Sequence, residues 1–118
     1  MLVTDRENNR LVWLDFDGNI LGEKDGLRRP SALALRGDEL AVGELKGRVV
    51  VLNRDGKVIE ELGTNDDPEQ IETPKVPPED WSNLLVTAPH GVAYDGEGNL
   101  MVTEWNRWGR VLTFSRRD

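Results

Sequence analysis

The sequence has no cysteine, a single histidine (His90), and no apolar run approaching the ~20 residues that a membrane-spanning helix needs. Without cysteine there are no disulfides, no thiolate nucleophile and no cysteine-ligated zinc. One histidine is too few for a catalytic zinc held by this chain alone, because such a site takes about three protein ligands. A basic excess is also missing: 22 acidic against 15 basic residues leave a net charge of -7. Nucleic acid needs a basic face to displace its counterions, so it is not an expected partner. The opening stretch MLVTDRENN lacks the basic and apolar regions of a leader, so the chain as given carries no signal peptide. No Gly-rich phosphate loop, nucleophile elbow or His-Glu-x-x-His pattern is present.

What the sequence does contain is a repeat. LVTDRENNRLVWLDFDGN (2–19), LAVGELKGRVVVLNRDGK (40–57) and LMVTEWNRWGRVLTFSRRD (100–118) superimpose. Each unit has an apolar strand with Val3, Val42 or Val102, an acid two residues on (Asp5, Glu44, Glu104), a short turn, an arginine (Arg10, Arg48, Arg110) and a second strand. Asp17-Gly18 and Asp55-Gly56 then turn the first two units into a further strand. Another strand precedes the second and third units, in RRPSALALRGD (28–38) and APHGVAYDGEG (88–98). No stretch carries a sustained helical period with caps, so the chain is expected to be all-β. Four short strands in a unit of about 40 residues is the size of a β-propeller blade. The interval between the last two units is longer because of TNDDPEQIETPKVPPEDWSNLLV (64–86), read as a Pro-rich acidic excursion ordered by Trp81 and Leu84-Leu85.

PHGVAYDGEGNLMVTEWNRWGRVLTF and VTDRENNRLVWLDFDGN resemble the NHL-repeat family of β-propellers, over the whole chain apart from the insertion. The resemblance implies a partial propeller of about two and a half four-stranded antiparallel blades. Residues 1–24 would be an incomplete first blade, 25–63 a complete second, 64–86 the insertion, and 87–118 an incomplete last blade. The chain would then be the C-terminal part of a six-bladed propeller that needs the remainder of a longer chain, or self-association, to close. VTDREN and PHGVAYDGEGNLMVTE are also similar to the last third of peptidylglycine α-amidating lyases, whose propellers hold zinc and calcium. That likeness implies an active-site role for Arg6 and zinc ligation for His90. It departs at Gly91, where the lyases have a calcium-ligating aspartate. Propellers of this family are commonly exported, so a signal would lie outside this chain.

Three readings follow. The first is a non-catalytic binding scaffold for a protein or small-molecule ligand, with Trp105, Arg107, Trp108 and Arg110 of WNRWGR as its recognition residues, since aromatics and arginine are enriched at binding hot spots. The second is a fragment of a lyase-like enzyme with Arg6 and His90 at its site, in which zinc or calcium would belong to the complete propeller and no cofactor to this chain alone. The third is a half-propeller that reassembles from identical copies. The repeated acid–arginine pairs are read as structural, because a dyad needed for one reaction has no reason to recur in every unit. The acids of the insertion lack the spaced ligand series of a calcium loop.

Overall fold

The computed structural model describes residues 1–117; Asp118, the last residue of the expected final unit, lies outside the described residues. Ten strands form and, among the described residues, no α-helix. In chain order they are β1 (Leu2–Asp5), β2 (Arg10–Leu14), β3 (Ile20–Lys24), β4 (Pro30–Arg36), β5 (Glu39–Glu44), β6 (Arg48–Leu52), β7 (Val58–Leu62), β8 (Pro89–Tyr94), β9 (Leu100–Glu104) and β10 (Val111–Phe114). They make three antiparallel sheets, none of them closed: β1-β2-β3, β4-β5-β6-β7 and β8-β9-β10. Every neighbour in a sheet is a neighbour in sequence, so hairpin chemistry alone fixes the topology. One turn recurs between β2 and β3, β6 and β7, and β8 and β9. Asp15, Asn53 and Asp95 each accept backbone N–H bonds from the second and fourth residues after them. The residue just before the turn's end must then take a left-handed φ, and glycine stands there at 18, 56 and 98.

Alternation along the strands decides the packing. On the central sheet Leu40, Val42, Val50 and Leu52 face the first sheet, where they meet Leu11 and Leu27 with Leu2 and Trp13 beside them. Ala41 and Val49 face the third sheet and meet Val86, Leu100, Val102 and Leu112. The central strands β5 and β6 are thus buried on both faces, which is why they read as apolar runs rather than as alternating ones. Each fully buried Val or Leu contributes about 1.5–3 kcal/mol. The three sheets therefore stack face to face in chain order.

At the inner edge of the stack β4 lies beside both β1 and β8. The Ser31 hydroxyl ties β4 to β8 by donating to the Pro89 carbonyl at 2.8 Å. Gly43 permits that approach, since a Cβ there would stand 3.1 Å from Val92 Cγ1 and 3.6 Å from the Pro89 Cβ.

The insertion is held more firmly than its composition suggests: of the expected anchors, Trp81 and Leu85 are half-buried and Leu84 is not. Leu84 is 79% exposed. Asn65 and Val76 are buried instead. The Asn65 N–H donates to Gly47 O, and the Val76 carbonyl accepts from both Trp81 Nε1 and Asn106 Nδ2. The Arg107 N–H donates to Pro74 O. The segment is laid across the turns at one end of the second and third sheets.

Candidate functional site

The repeated acid–arginine pairs take one structural position in all three sheets. Arg10 Nε donates to Asp5 at 2.7 Å and Arg10 Nη1 to Glu23 on β3 at 2.6 Å. Arg48 donates to Glu44 at 2.6 Å and to Glu61 on β7 at 2.9 Å. Each arginine therefore clamps the turn acid to the outermost strand. In the third sheet, which has three strands, Arg110 reaches Glu104 at 3.1 Å, turns its other nitrogen to the Ser82 carbonyl and lies over the Trp81 ring, 5.2 Å from its centroid. The insertion thus takes the place of the outer acid. The buried carboxylates also cap backbone: Glu44 accepts from the Arg28 N–H, and Glu104 from those of Thr87 and Ala88. These contacts favour the ionised pair: Asp5 is held below the usual carboxylate range by Arg10 and then Asn8, and Arg48 is pushed up chiefly by Glu44.

Of the WNRWGR residues, Arg110 is consequently enclosed, its side chain only 6% exposed. Arg107, Trp105 and Trp108 are exposed. The Trp105 backbone N–H is held by the Ala88 carbonyl, and neither Arg107 nor Trp108 shares the cavity that its side chain lines.

Trp105 lines a cavity of about 450 Å³ together with Arg6, Arg29, Leu45, Glu72 and His90. Arg6, Leu45 and Trp105 are the residues immediately after the acid in the three repeats. One is cationic, one aliphatic and one aromatic, so no shared structural demand explains them, yet the stacking of the sheets brings all three to one mouth. Arg6 and His90, far apart in the sequence, also meet here. His90 sits at the β8 bulge, between Pro89 paired with Glu104 and Gly91 paired with Thr103. Ser31 occupies the matching bulge of β4.

Arg29, Leu45 and Glu72 were not singled out by sequence reasoning. Leu45 carried a signal in its alignment with Arg6 and Trp105. Arg29 carried only the Arg-Pro junction at the start of β4, and Glu72 none. Arg29 is central to the geometry. Its guanidinium binds Glu72 through Nη1 and Glu7 through Nη2, the latter at 2.5 Å, while its Nε is buried without a hydrogen-bond partner. Its backbone N–H donates to the Asn9 side chain at 3.0 Å.

Among the described residues, three non-glycine residues have a left-handed φ: Asn9 (55°), Arg29 (54°) and Glu72 (56°). All three belong to this one hydrogen-bonded group. Asparagine tolerates that conformation, but for the other two it costs about 1–2 kcal/mol each. Strain of this kind persists only where surrounding structure enforces it, and it clusters at ligand clamps. The charge balance at the mouth is cationic: Arg6, Arg29 and Lys46, the last 3.9 Å from Glu72, face Glu7 and Glu72.

A larger groove, about 870 Å³, runs between β7 and the edge strand β10, lined by Leu62, Leu84, Leu112, Phe114 and the tail around Arg116. Its lining also holds Tyr94, Phe114, Arg110, Arg116 and Arg117, but Arg110 is paired with Glu104 and Arg116 with Glu39.

Among the described residues no three of His, Cys, Asp and Glu stand together as metal ligands would. The acids at the start of the insertion are engaged otherwise: Asp66 with Arg28 at 2.8 Å, and Asp67 with the Glu69 N–H. No helix among the described residues is long and apolar enough to cross a membrane. Comparison with known proteins finds no family model that matches the chain and no curated protein with significant similarity to it.

Proposed function

We propose that the chain is an NHL-like β-propeller segment acting as a non-catalytic binding module, and that its ligand is a carboxylate carrying an apolar or aromatic group, bound at the mouth formed by Arg6, Arg29, Leu45, His90 and Trp105. The observation that carries this reading is the meeting of Arg6, Leu45 and Trp105 on one cavity around a strained arginine with an unsatisfied buried N–H. A carboxylate would accept from the Arg6 fork, whose planar donors match its two oxygens, beside the positive charge of the Arg29 guanidinium. Leu45, which is buried, supplies an apolar wall, and Trp105 a ring face. A peptide C-terminus and a small aryl or alkyl acid share this chemistry.

Calorimetric titration with N-acetylphenylalanine and with its amide tests the reading. Binding of the acid, its loss in the amide, and its loss on Arg6→Ala are the expected results. Equal affinity for acid and amide, or unchanged affinity in Arg6→Ala, would refute it.

The enzyme reading draws support from Arg6 and His90 lining the same cavity. The residues present do not fit the lyase metals: His90 is the only histidine, and Gly91 stands where the calcium ligand would be. No reaction step is therefore assigned to this chain.

A further inference from the structure

The repeat fixes which sheet face meets which. Aligned on Val3, Val42 and Val102, the equivalent positions are Leu2, Ala41 and Met101; Leu11, Val49 and Val111; and Val12, Val50 and Leu112. The first sheet presents Leu2 and Leu11 to the second, and the second presents their equivalents, Ala41 and Val49, to the third. The second sheet receives on Val42 and Val50, and the third on their equivalents, Val102 and Leu112. Each sheet thus has a leading face and a receiving face, and the same pairing occurs twice.

One face of each kind is left over. The third sheet's leading face carries Ala93, Met101, Thr103, Val111 and Thr113, all exposed, with Met101 at 38% and Val111 at 65%. Ala34 and Val49, the equivalents of Ala93 and Val111, pack inside the second core. The first sheet's receiving face carries Val3 and Leu14, both half-buried, and Val12, which is 6% exposed, beside the Asp5–Arg10 pair. The ion pairs show the same asymmetry. On the two covered receiving faces the acid is 0% exposed, in Glu44 and Glu104, whereas Asp5 is 28% exposed.

We propose that the leading face of the third sheet packs on the receiving face of the first sheet of a second copy, and reciprocally, so that two chains close a six-sheet ring. The occupant follows from continuity with an interface the chain already makes twice: the two faces on which no sheet packs are its two halves. The copy number follows from arithmetic. Closed rings of such sheets hold about four to eight; one chain brings three, two bring six, and three would bring nine. A head-to-tail contact of this type either closes or grows into a filament, and the six-sheet count selects closure. The inference rests on the propeller-like reading of the stack, and it completes the proposed site, because the ring brings a second set of positions 6, 45 and 105 around the same axis.

Light scattering on a sizing column tests it with the full chain. The expected result is a mass twice the 13.3 kDa of one chain, independent of concentration. Met101→Glu places a charge on the leading face, where the isolated chain leaves it in water, and should halve the mass with the far-UV circular dichroism unchanged. Val111→Lys, on the same face, should do the same, and it serves where Met101→Glu fails to fold. A single-chain mass at all concentrations, a mass that climbs without a plateau, or a dimer that survives both substitutions would overturn the ring. Ligand affinity is measured separately. Loss of the ring with N-acetylphenylalanine still bound would spare the proposed site, and an intact ring that binds none would refute the site alone.

Discussion

Replacing Glu44 by Gln changes one atom and puts the role of the acid–arginine pairs at risk. The Glu44 side chain is fully buried and accepts from Arg48 Nε at 2.6 Å, from Arg48 Nη2 at 2.9 Å and from the Arg28 backbone N–H. The amide retains one acceptor and turns an NH2 toward a guanidinium or an N–H that has no other partner. Breaking a buried pair by removing one charge costs about 3–5 kcal/mol. Arg48 is itself 14% exposed and keeps Glu61 at 2.9 Å, so the lower end of that range applies, about 3 kcal/mol. With a urea slope of about 1–3 kcal/mol/M for a chain of this size, the midpoint should fall by roughly 1–3 M at constant slope. Asp38→Asn is the control: its pair with Arg54 spans 3.2 Å between side chains 71% and 83% exposed, and such pairs contribute at most about 1 kcal/mol. Urea unfolding followed by circular dichroism reads both. Equal midpoints for the two variants would refute the claim that burial makes these pairs structural, and would return them to the pool of candidate site residues.

Gly47→Ala should destabilise by about 2–4 kcal/mol, because its φ of +80° disfavours any side chain and a Cβ would stand 2.3 Å from Ile71 Cγ2; unchanged thermal unfolding would contradict the docking of the insertion. Trp81→Phe removes the bond to the Val76 carbonyl and weakens the shelf under Arg110, so amide exchange should quicken across 72–86 while β5 and β6 stay protected. Acid should unfold the chain from the turns inward. Asp15 and Asp95 are depressed mainly by their asparagine partners, and Glu39 by Arg116. Depressed carboxylates stabilise above their unfolded values near pH 4, and that stability is lost as pH falls through the lower folded values. Asp95→Asn should therefore flatten the acid limb of a stability–pH curve, and an unchanged limb would show that the turn contributes nothing to it.

The strands were legible because their signals are local. Asp-Gly turns, short apolar runs and the repeated valine–acid–arginine spacing lie within a few residues of one another, and the sheets form from chain neighbours. The insertion was harder, because its anchors are backbone partners: Asn65 on Gly47, Arg107 on Pro74, and the Val76 carbonyl receiving Trp81 and Asn106. The exposed Leu84 looked like an anchor by composition alone. At the site, Arg6 and His90 were paired only through the lyase likeness and Trp105 was assigned to a different surface, because the meeting of all three depends on how the sheets stack. Arg29 and Glu72 owe their places to a backbone conformation that no residue type announces.

The most direct test of the central claim is where N-acetylphenylalanine touches the chain, read from amide and indole shifts in a two-dimensional proton–nitrogen NMR titration. The account predicts saturable shifts at the Trp105 indole, at the Arg6 and His90 amides and at the Arg29 Nε–H, with the Trp13 indole and the β10 edge unmoved. Shifts confined to the groove beside β10, or none at all, would contradict it.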